Sequence, residues 1–226
     1  MGDGKVPPTG QVVYLPPARE RPAPAERPPR TLAEAKQAAE ACRACALARR
    51  AACAVFGEGP QGAPVMLVGE QPGEADEAAG RPFAGAAGKL LDRALGDAGL
   101  DRGGLYVTHA VKHFKFARRD GQRVPLRLEP AEIAACRPWL DRERVLVRPH
   151  LIVALGAVAA AALLERPVSL PLERGRILPL EDGSRLLVTE HPSTILRLAD
   201  RTAQGREYRR LVADLLLAVP YLRRAA

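Results

Sequence analysis

The chain has 226 residues, a formal net charge of +8 and a pI near 9.8, enough sequence for one domain with a sizeable core and a tail. The basic charge favours a polyanionic partner, but an arginine-rich composition leaves nucleic acid as only one candidate. No apolar run approaches the ~20 residues of a membrane span, the N-terminus lacks a signal-peptide core, and four cysteines do not suit a secreted disulfide framework. We therefore expect a cytoplasmic protein with no membrane partner, and we expect a monomer because nothing in the sequence suggests an obligate dimer.

Residues 1–30 contain eight prolines and scattered arginines, with almost no apolar periodicity. Such a segment cannot bury enough apolar surface to offset the entropy of ordering, so it is predicted to be a disordered tail. Thr31 begins a capping-box pattern, Thr31-Leu-Ala-Glu34, which predicts a helix. A single domain is therefore expected over residues 31–226.

The first helix is predicted to deliver a Cys-x-x-Cys pair, Cys42 and Cys45, and Cys53 follows in an Ala-rich stretch. Such a pair is typical of a redox site, half of a zinc site or part of an iron–sulfur site. A thioredoxin-like redox pair would follow a strand, whereas a helix precedes this one. Zinc and iron–sulfur both stay open on spacing alone, and Cys53 is interpreted as a small buried residue.

The next pattern is a short apolar run followed by a Gly- and Pro-containing turn. Residues 65–68 are predicted to form a buried strand, and the turn at its carboxyl end carries Glu70, Gln71 and Gly73. Ligands of open α/β sheets bind beyond the carboxyl ends of the strands. These residues are therefore candidates for a functional site.

A second Gly-rich turn, residues 80–88, contains Phe83 and leads into a predicted helix at residues 89–98. Glycines allow backbone amides to approach a flat or anionic ligand closely. The spacing matches neither GxGxxG nor a phosphate loop, so no nucleotide cofactor is predicted.

The rest of the chain alternates strands with helices. In chain order we predict a strand at 105–111, an exposed basic loop at 114–129, a helix at 129–140, a strand at 150–155, a hairpin of 177–180 with 185–189, a short helix capped by Ser193, and a closing helix at 206–218. This alternation predicts an α/β fold, a three-layer α/β/α sandwich with a mainly parallel central sheet.

Two ordered motifs, GEQPGEADEAAGRPFAGAAGKLL at residues 69–91 and HPSTILR at residues 191–197, resemble the uracil-DNA glycosylase superfamily. The chain is similar to its iron–sulfur, family-four-like branch and, within that branch, to the UdgX type, from residue 31 to the C-terminus. The resemblance implies a monofunctional glycosylase that hydrolyses the N-glycosidic bond of uracil, or another deaminated base, in DNA. Single-stranded DNA is the expected preference because its bases need no unpairing.

The resemblance assigns catalysis to two loops. Glu70 would orient or deprotonate the attacking water and offset positive charge on the sugar. His191 would donate a hydrogen bond to the uracil O2 as negative charge develops. Gln71, Gly73 and Phe83 would bind the base, with the phenyl ring stacking on it after it leaves the helix.

The resemblance also assigns contacts with DNA. The loop after His191 matches a family segment that enters the minor groove, where apolar residues wedge the gap and an arginine meets phosphate. Its residues are Ser193, Thr194, Ile195, Leu196 and Arg197. Arg123, with Arg118, Arg119 and Arg127, is expected either to contact phosphate or to belong to a solvated loop.

A [4Fe–4S] cluster is a further implication of the resemblance. Cys42, Cys45 and Cys136 match three ligand positions, and His113 stands where family-four enzymes have the remaining cysteine. UdgX-type sequences also carry histidine there, and imidazole replaces thiolate on iron in Rieske centres. The expected ligands are these four residues, with Cys53 in reserve, and the cluster is expected to be structural.

Two positions depart from the family pattern. The asparagine that reads the uracil N3 and O4 edge is replaced by His109, whose neutral ring has one donor and one acceptor on different nitrogens. The UdgX segment KRRIH, whose histidine attacks the sugar, aligns with a segment in which Pro125 replaces that histidine. We expect altered base selectivity and no covalent adduct.

Three functional hypotheses remain. The first is a glycosylase that acts by water attack, and it is favoured by intact Glu70, Phe83 and His191. The alternative is a catalytically weak or silent protein that binds uracil-containing or abasic DNA, and it is favoured by His109 and Pro125. The third is a zinc- or cluster-bearing protein unrelated to DNA repair.

Overall fold

The computed structural model of the protein describes residues 28–222. The helices and strands in chain order are α1 (Leu32–Glu40), β1 (Val65–Gly69), α2 (Glu74–Ala79), α3 (Ala86–Asp97), β2 (Tyr106–His109), β3 (Phe116–Arg119), β4 (Gln122–Pro125), α4 (Pro130–Val147), β5 (Leu151–Leu155), α5 (Ala157–Leu164), α6 (Leu170–Glu173), β6 (Ile177–Pro179), β7 (Arg185–Thr189), α7 (Pro192–Leu196), α8 (Arg201–Leu216) and α9 (Val219–Leu222). Short 3₁₀ helices lie at Ala46–Arg49 and Arg102–Gly104.

The central sheet of this part of the chain has the strand order β2-β1-β5-β7-β6. β2, β1, β5 and β7 are parallel, and β6 pairs with β7 antiparallel. Every residue of β1 and β5 is buried, as expected of parallel strands covered on both faces. Successive β1 residues alternate between two apolar clusters, with Met66 in one and Leu67 in the other. The predicted α/β class and the mainly parallel sheet are confirmed.

The basic segment predicted to be an exposed loop, residues 114–129, is instead largely a β-hairpin. β3 and β4 pair antiparallel around a two-residue turn, Asp120-Gly121, in which both residues have positive φ. Asp-Gly is the preferred sequence of this turn type, so a local signal was present. Phe114, just before β3, is buried, so its side chain attaches the start of the hairpin to the core.

Several predicted boundaries shift. α4 continues to Val147 rather than ending at residue 140, and α8 begins at Arg201, capped by two backbone N–H bonds to Asp200. α2 was not predicted. α1 ends at Glu40, so Cys42 and Cys45 follow the helix rather than lying on it.

The N-terminal prediction is testable only from residue 28 onward, because residues 1–27 lie outside the described part of the chain. The helix predicted at Thr31 is present, and the Thr31 hydroxyl oxygen accepts the Glu34 N–H at 3.2 Å. Among residues 28–222, no helix is long and apolar enough to cross a membrane.

A buried ion pair joins the end of β2 to α4. The Lys112 ammonium lies 2.6 Å from a Glu143 carboxylate oxygen, and both side chains are fully buried. The same ammonium donates to the Thr108 hydroxyl at 2.7 Å and to the His109 carbonyl at 2.6 Å. The Tyr106 hydroxyl and Thr108 also donate to Glu143. This network fixes the backbone at the end of β2 and thereby the position of the His109 side chain.

Candidate active site

The carboxyl ends of the parallel strands open into one cleft of about 1060 Å³. Glu70 follows β1, His109 ends β2, and His191 lies just beyond β7, and all three line this cleft. Parallel strands end at the same edge of a sheet, which is why residues more than one hundred positions apart meet here.

Glu70 is half-buried on the wall of the cleft. Burial raises the pKa of its carboxyl group, against the opposing effect of the Arg197 and Arg127 charges. Its own backbone carbonyl accepts the Val111 N–H at 3.1 Å, which holds the residue against the end of β2. The carboxylate therefore faces the cleft on a fixed backbone and lies within the electrostatic reach of two arginines.

Phe83, in the Gly-rich turn, contacts two histidines from other segments of the chain. Its ring is stacked on His109 with centroids 4.6 Å apart and on His191 with centroids 5.8 Å apart. The residue has a φ of 55°, which is unusual for a non-glycine side chain. The turn packs closely on α3: a Cβ at Gly88 would approach the Phe83 carbonyl oxygen to 1.6 Å, so only glycine fits there.

His191, rather than the predicted Ser193, is the N-cap of α7. Its Nδ1 accepts the Ser193 N–H at 3.1 Å and lies 2.8 Å from the Ser193 hydroxyl oxygen. Burial lowers the pKa of His191 to about 3, and nearby His109 and Arg197 add to this effect. The ring is therefore neutral at pH 7. Its Nε2 is buried and has no hydrogen-bond partner among the described residues.

His109 is buried at the end of β2, where its Nε2 lies 3.2 Å from an Asp76 carboxylate oxygen. Asp76 also accepts the Gly73 N–H at 3.0 Å and the Ala84 N–H at 2.7 Å. Burial raises the pKa of Asp76, but the contact with His109 and the two backbone hydrogen bonds outweigh it and hold the pKa below its ordinary value. Asp76 was not predicted as a site residue, although its place three residues after Gly73 at the start of α2 was a capping signal.

Two other predicted base contacts have structural partners. The Gln71 amide nitrogen donates to the Leu126 carbonyl at 2.8 Å, and its oxygen accepts the Lys115 N–H at 2.9 Å. The side chain therefore holds the ends of the hairpin segment while it lines the cleft. Gly73 is the N-cap of α2 and donates to Asp76.

The loop predicted to contact DNA divides into buried and exposed residues. Ile195 is 1% exposed and packs in the core of the free protein, where its side chain is not available as a wedge. Leu196 is 41% exposed, and Arg197 is exposed with its guanidinium donating to the Ser193 and Thr194 hydroxyls. Only the second apolar side chain of the pair is available to enter a groove.

Arg123 was predicted as a phosphate contact or part of a solvated loop, but it is engaged within the protein. Its guanidinium pairs with Glu74 at 2.9 Å and with Glu77 at 2.6 Å. It also lies over the Phe114 and Phe116 rings, at 5.4 and 4.6 Å from their centroids. Arg123 therefore fastens the hairpin to α2.

The residues proposed as cluster ligands come from three segments that approach one another. Burial raises the pKa of the Cys136 thiol to about 12, against the charge and N–H of Lys112, and nearby Cys45 and Cys42 add to the rise. The Lys112 N–H donates to the Cys136 sulfur at 3.1 Å. His113 is buried, and its Nδ1 has no partner within residues 28–222. Over the same residues, no three His, Cys, Asp or Glu side chains are arranged as a metal-binding group.

Cys53 differs from the buried apolar residue that was predicted. It is half-buried, and its thiol donates to the Glu77 carbonyl at 3.3 Å. Burial raises its pKa, and the nearby carboxylates Glu77 and Glu40 add to the effect. An acidic surrounding disfavours the thiolate that a metal requires.

Comparison with known proteins gives consistent matches. Residues 56–216 match the family described as the uracil DNA glycosylase superfamily. A type-4 uracil-DNA glycosylase of Pyrobaculum aerophilum is 38% identical over 165 residues, which cover 69% of this chain and 80% of that protein. A type-4 uracil-DNA glycosylase of Thermotoga maritima is 35% identical over 174 residues, 76% of this chain and 84% of that protein. That of Sulfurisphaera tokodaii is 41% identical over 127 residues, 56% and 54% of the two chains.

Proposed function

The chain belongs to the uracil DNA glycosylase superfamily, and on that basis we propose that it removes uracil from DNA by hydrolysing the N-glycosidic bond. One observation carries the proposal: a carboxylate, Glu70, and an unpartnered imidazole nitrogen, His191 Nε2, line the same cleft as Phe83. This combination supplies a group for water and for the sugar cation, a donor for the departing base and an aromatic ring for stacking.

Glu70 would act on the sugar side of the reaction. An ionised carboxylate accepts a proton from water and offsets positive charge on an oxocarbenium-like sugar. The neighbouring Arg197 and Arg127 oppose the rise in pKa that burial causes, but the net shift is upward, which makes the ionised carboxylate a stronger base. The cleft therefore supports a base at this position.

His191 would act on the base side of the reaction. The Ser193 backbone N–H can only donate, so Nδ1 must be the unprotonated nitrogen and the proton of the neutral ring is on Nε2. That N–H is already formed and buried, and it has no partner within residues 28–222, so it would stabilise negative charge on uracil O2 without reorganisation.

We further propose that, on duplex DNA, Leu196 enters the minor groove while Arg197 and Thr194 approach the phosphate backbone. Exposure of Leu196 beside the cleft supports this role. Arg127, Arg118 and Arg119 are exposed and add positive charge along the DNA path. We propose single-stranded DNA as the preferred form, acted on by a monomer, because unpairing a base costs free energy.

We assign the chain to the UdgX-like type but without covalent trapping. Pro125 lines the same cleft as Glu70 and His191, so the position of the missing histidine faces the site. Proline has no nucleophilic atom, and the reaction would therefore end with water attack and release of the product.

We also propose that Cys42, Cys45, His113 and Cys136 hold a [4Fe–4S] cluster. Three observations support this donor set: Cys42 and Cys45 lie near Cys136, the Lys112 N–H donates to the Cys136 sulfur, and the His113 Nδ1 has no partner in the described part of the chain. When bound, the cluster would supply a structural crosslink between the segment after α1 and α4.

The rival function is a protein that binds uracil-containing or abasic DNA without cleaving it. The observation that favours it is the stacking of His109 on Phe83, because the ring covers the aromatic face that a flipped base would use. Base entry would require the two rings to separate.

The test uses oligonucleotides with one uracil, single-stranded and paired, with each reaction divided between alkaline cleavage and a denaturing gel. We expect strand cleavage without a shifted band, and loss of cleavage in His191→Ala. Retention on a native gel without cleavage would establish the rival. A denaturant-resistant band in the wild type would contradict the absence of trapping, and Pro125→His is the variant in which such a band is expected.

A further inference from the structure

Near Phe83, two buried ring nitrogens have no hydrogen-bond partner among residues 28–222. One is Nε2 of His191 and the other is Nδ1 of His109, and neither has a hydrogen-bond partner in the described part of the chain. Both histidines stack on Phe83 and line the cleft. Buried polar atoms in native proteins are nearly always paired, so these two indicate where a ligand completes the hydrogen bonding.

The His191 nitrogen is a donor. Its other ring nitrogen accepts a backbone N–H from Ser193 and so carries no proton. The pocket therefore presents an N–H at this point.

The His109 nitrogen is an acceptor. The two Asp76 oxygens accept backbone N–H groups from Gly73 and Ala84, an arrangement that stabilises the ionised carboxylate. A carboxylate has no proton to give, so in the 3.2 Å contact with His109 the proton belongs to the imidazole Nε2. In the neutral ring this leaves Nδ1 with a free lone pair.

The space around this lone pair depends on a glycine. A Cβ at Gly69 would come within 2.5 Å of His109 Nδ1 and 2.6 Å of the Phe83 ring. Only glycine at the end of β1 therefore admits both rings. The acceptor is buried in the free protein, so it becomes available when a base enters and takes the place of one ring in the stack.

We propose, building on the glycosylase function above, that this pocket reads O2 and N3–H of a flipped pyrimidine and does not read the substituent at C4. One donor and one acceptor match a ring carbonyl and the adjacent ring N–H. An asparagine amide would offer a further N–H for the C4 oxygen, whereas the second nitrogen of His109 is already bound to Asp76.

Among uracil analogues that differ at N3 or C4, recognition thus requires the 2-oxo group and a hydrogen on N3 and does not depend on the acceptor at C4. Cytosine is rejected because its unprotonated N3 would place one acceptor against another. A base with sulfur at C4, a poor acceptor, is accepted almost as well as uracil.

The experiment measures single-turnover excision of uracil, 4-thiouracil and 3-methyluracil from the same single-stranded oligonucleotide by the full-length wild type and by His109→Asn. Dividing the 4-thiouracil/uracil rate ratio of the wild type by that of the variant cancels the different leaving-group acidities. We expect this quotient to be about 10, because only the amide of the His109→Asn variant makes a hydrogen bond to the C4 substituent and loses it with sulfur. In the wild type alone, 3-methyluracil should be excised at least about tenfold more slowly than uracil.

Three results would overturn the inference. Equal ratios in the two proteins, with uracil excised, would show that His109 does not determine reading at C4 and would leave the glycosylase function intact. Wild-type excision of 3-methyluracil at the rate of uracil would do the same, and it needs no variant to fold. Failure of the wild type to excise any of the three bases would overturn the glycosylase function together with this inference.

Discussion

The Nδ1 atom of His191 accepts the backbone N–H of Ser193, only two residues further along the chain, at 3.1 Å. This short local contact makes His191 the N-cap of α7 and determines which ring nitrogen carries the proton. A capping interaction therefore also prepares a hydrogen-bond donor for the base.

Replacing His191 by Ala is expected to lower the rate of uracil excision by about 10²–10³-fold, because one preorganised donor to a developing anion is removed. The matched control is His150→Ala, an exposed histidine at the opposite ends of the strands. The measurement is the single-turnover rate of uracil excision by the wild type and both variants. A loss below about fivefold in His191→Ala, or equal losses in both variants, would contradict the assigned role.

Glu70 predicts the acid limb of the pH–rate profile. The carboxyl must be ionised to act on water, and its pKa is raised, so activity should fall as the pH drops through a value above that of an ordinary glutamate. Glu70→Gln should abolish this limb. Arg197→Ala removes a charge that lowers the pKa and should move the limb to higher pH. An acid limb unmoved in that variant would argue against Glu70 as the titrating group.

Lys112→Met should destabilise the protein by about 3–5 kcal/mol, because it leaves the buried Glu143 carboxylate without its cation. Lys115→Met is the control, since Lys115 pairs with Glu132 in a partly exposed site and should cost about 1 kcal/mol or less. Urea unfolding measures both. If both variants lose the same free energy of unfolding, the buried pair stabilises the protein no more than the partly exposed pair does.

Cys136→Ser and Cys53→Ser separate ligand from non-ligand cysteines. Thiolate-bound iron absorbs at about 400 nm, so the purified wild type should be coloured. The colour and iron content should fall in Cys136→Ser and persist in Cys53→Ser, whose wild-type thiol donates to Glu77. If the purified wild type is colourless and contains zinc, the site binds zinc and the proposed cluster is wrong. If Cys53→Ser also loses its colour, Cys53 is a ligand as well.

Ile195 and Leu196 are adjacent but should respond in opposite ways. Leu196→Ala should slow excision from duplex DNA and leave the free energy of unfolding nearly unchanged, because the side chain is exposed. Ile195→Ala should cost about 2–5 kcal/mol of stability because it opens a cavity in the core. The excision rates are compared under conditions in which both variants are folded. If the two changes then slow duplex excision equally, Leu196 does not contact DNA in the proposed way.

The sequence alone was sufficient for the elements whose signals are local. The apolar run at β1, the capping pattern at Thr31 and the alternation of strands with helices depend on neighbouring residues, and they predicted the α/β class and the parallel sheet. The Asp120-Gly121 turn was also a local signal, but the basic residues around it obscured the hairpin.

Tertiary structure decided which side chains were free to act. The sequence predicted a phosphate contact for Arg123, but in the structure its guanidinium pairs with Glu74 and Glu77. Nothing in the sequence indicated that both ends of the Gln71 amide bind the backbone of the hairpin segment. The proton on His109 depends on Asp76, which lies 33 residues away in sequence. Partners of this kind are set by the packing of separate segments, and no periodicity within one segment carries that information.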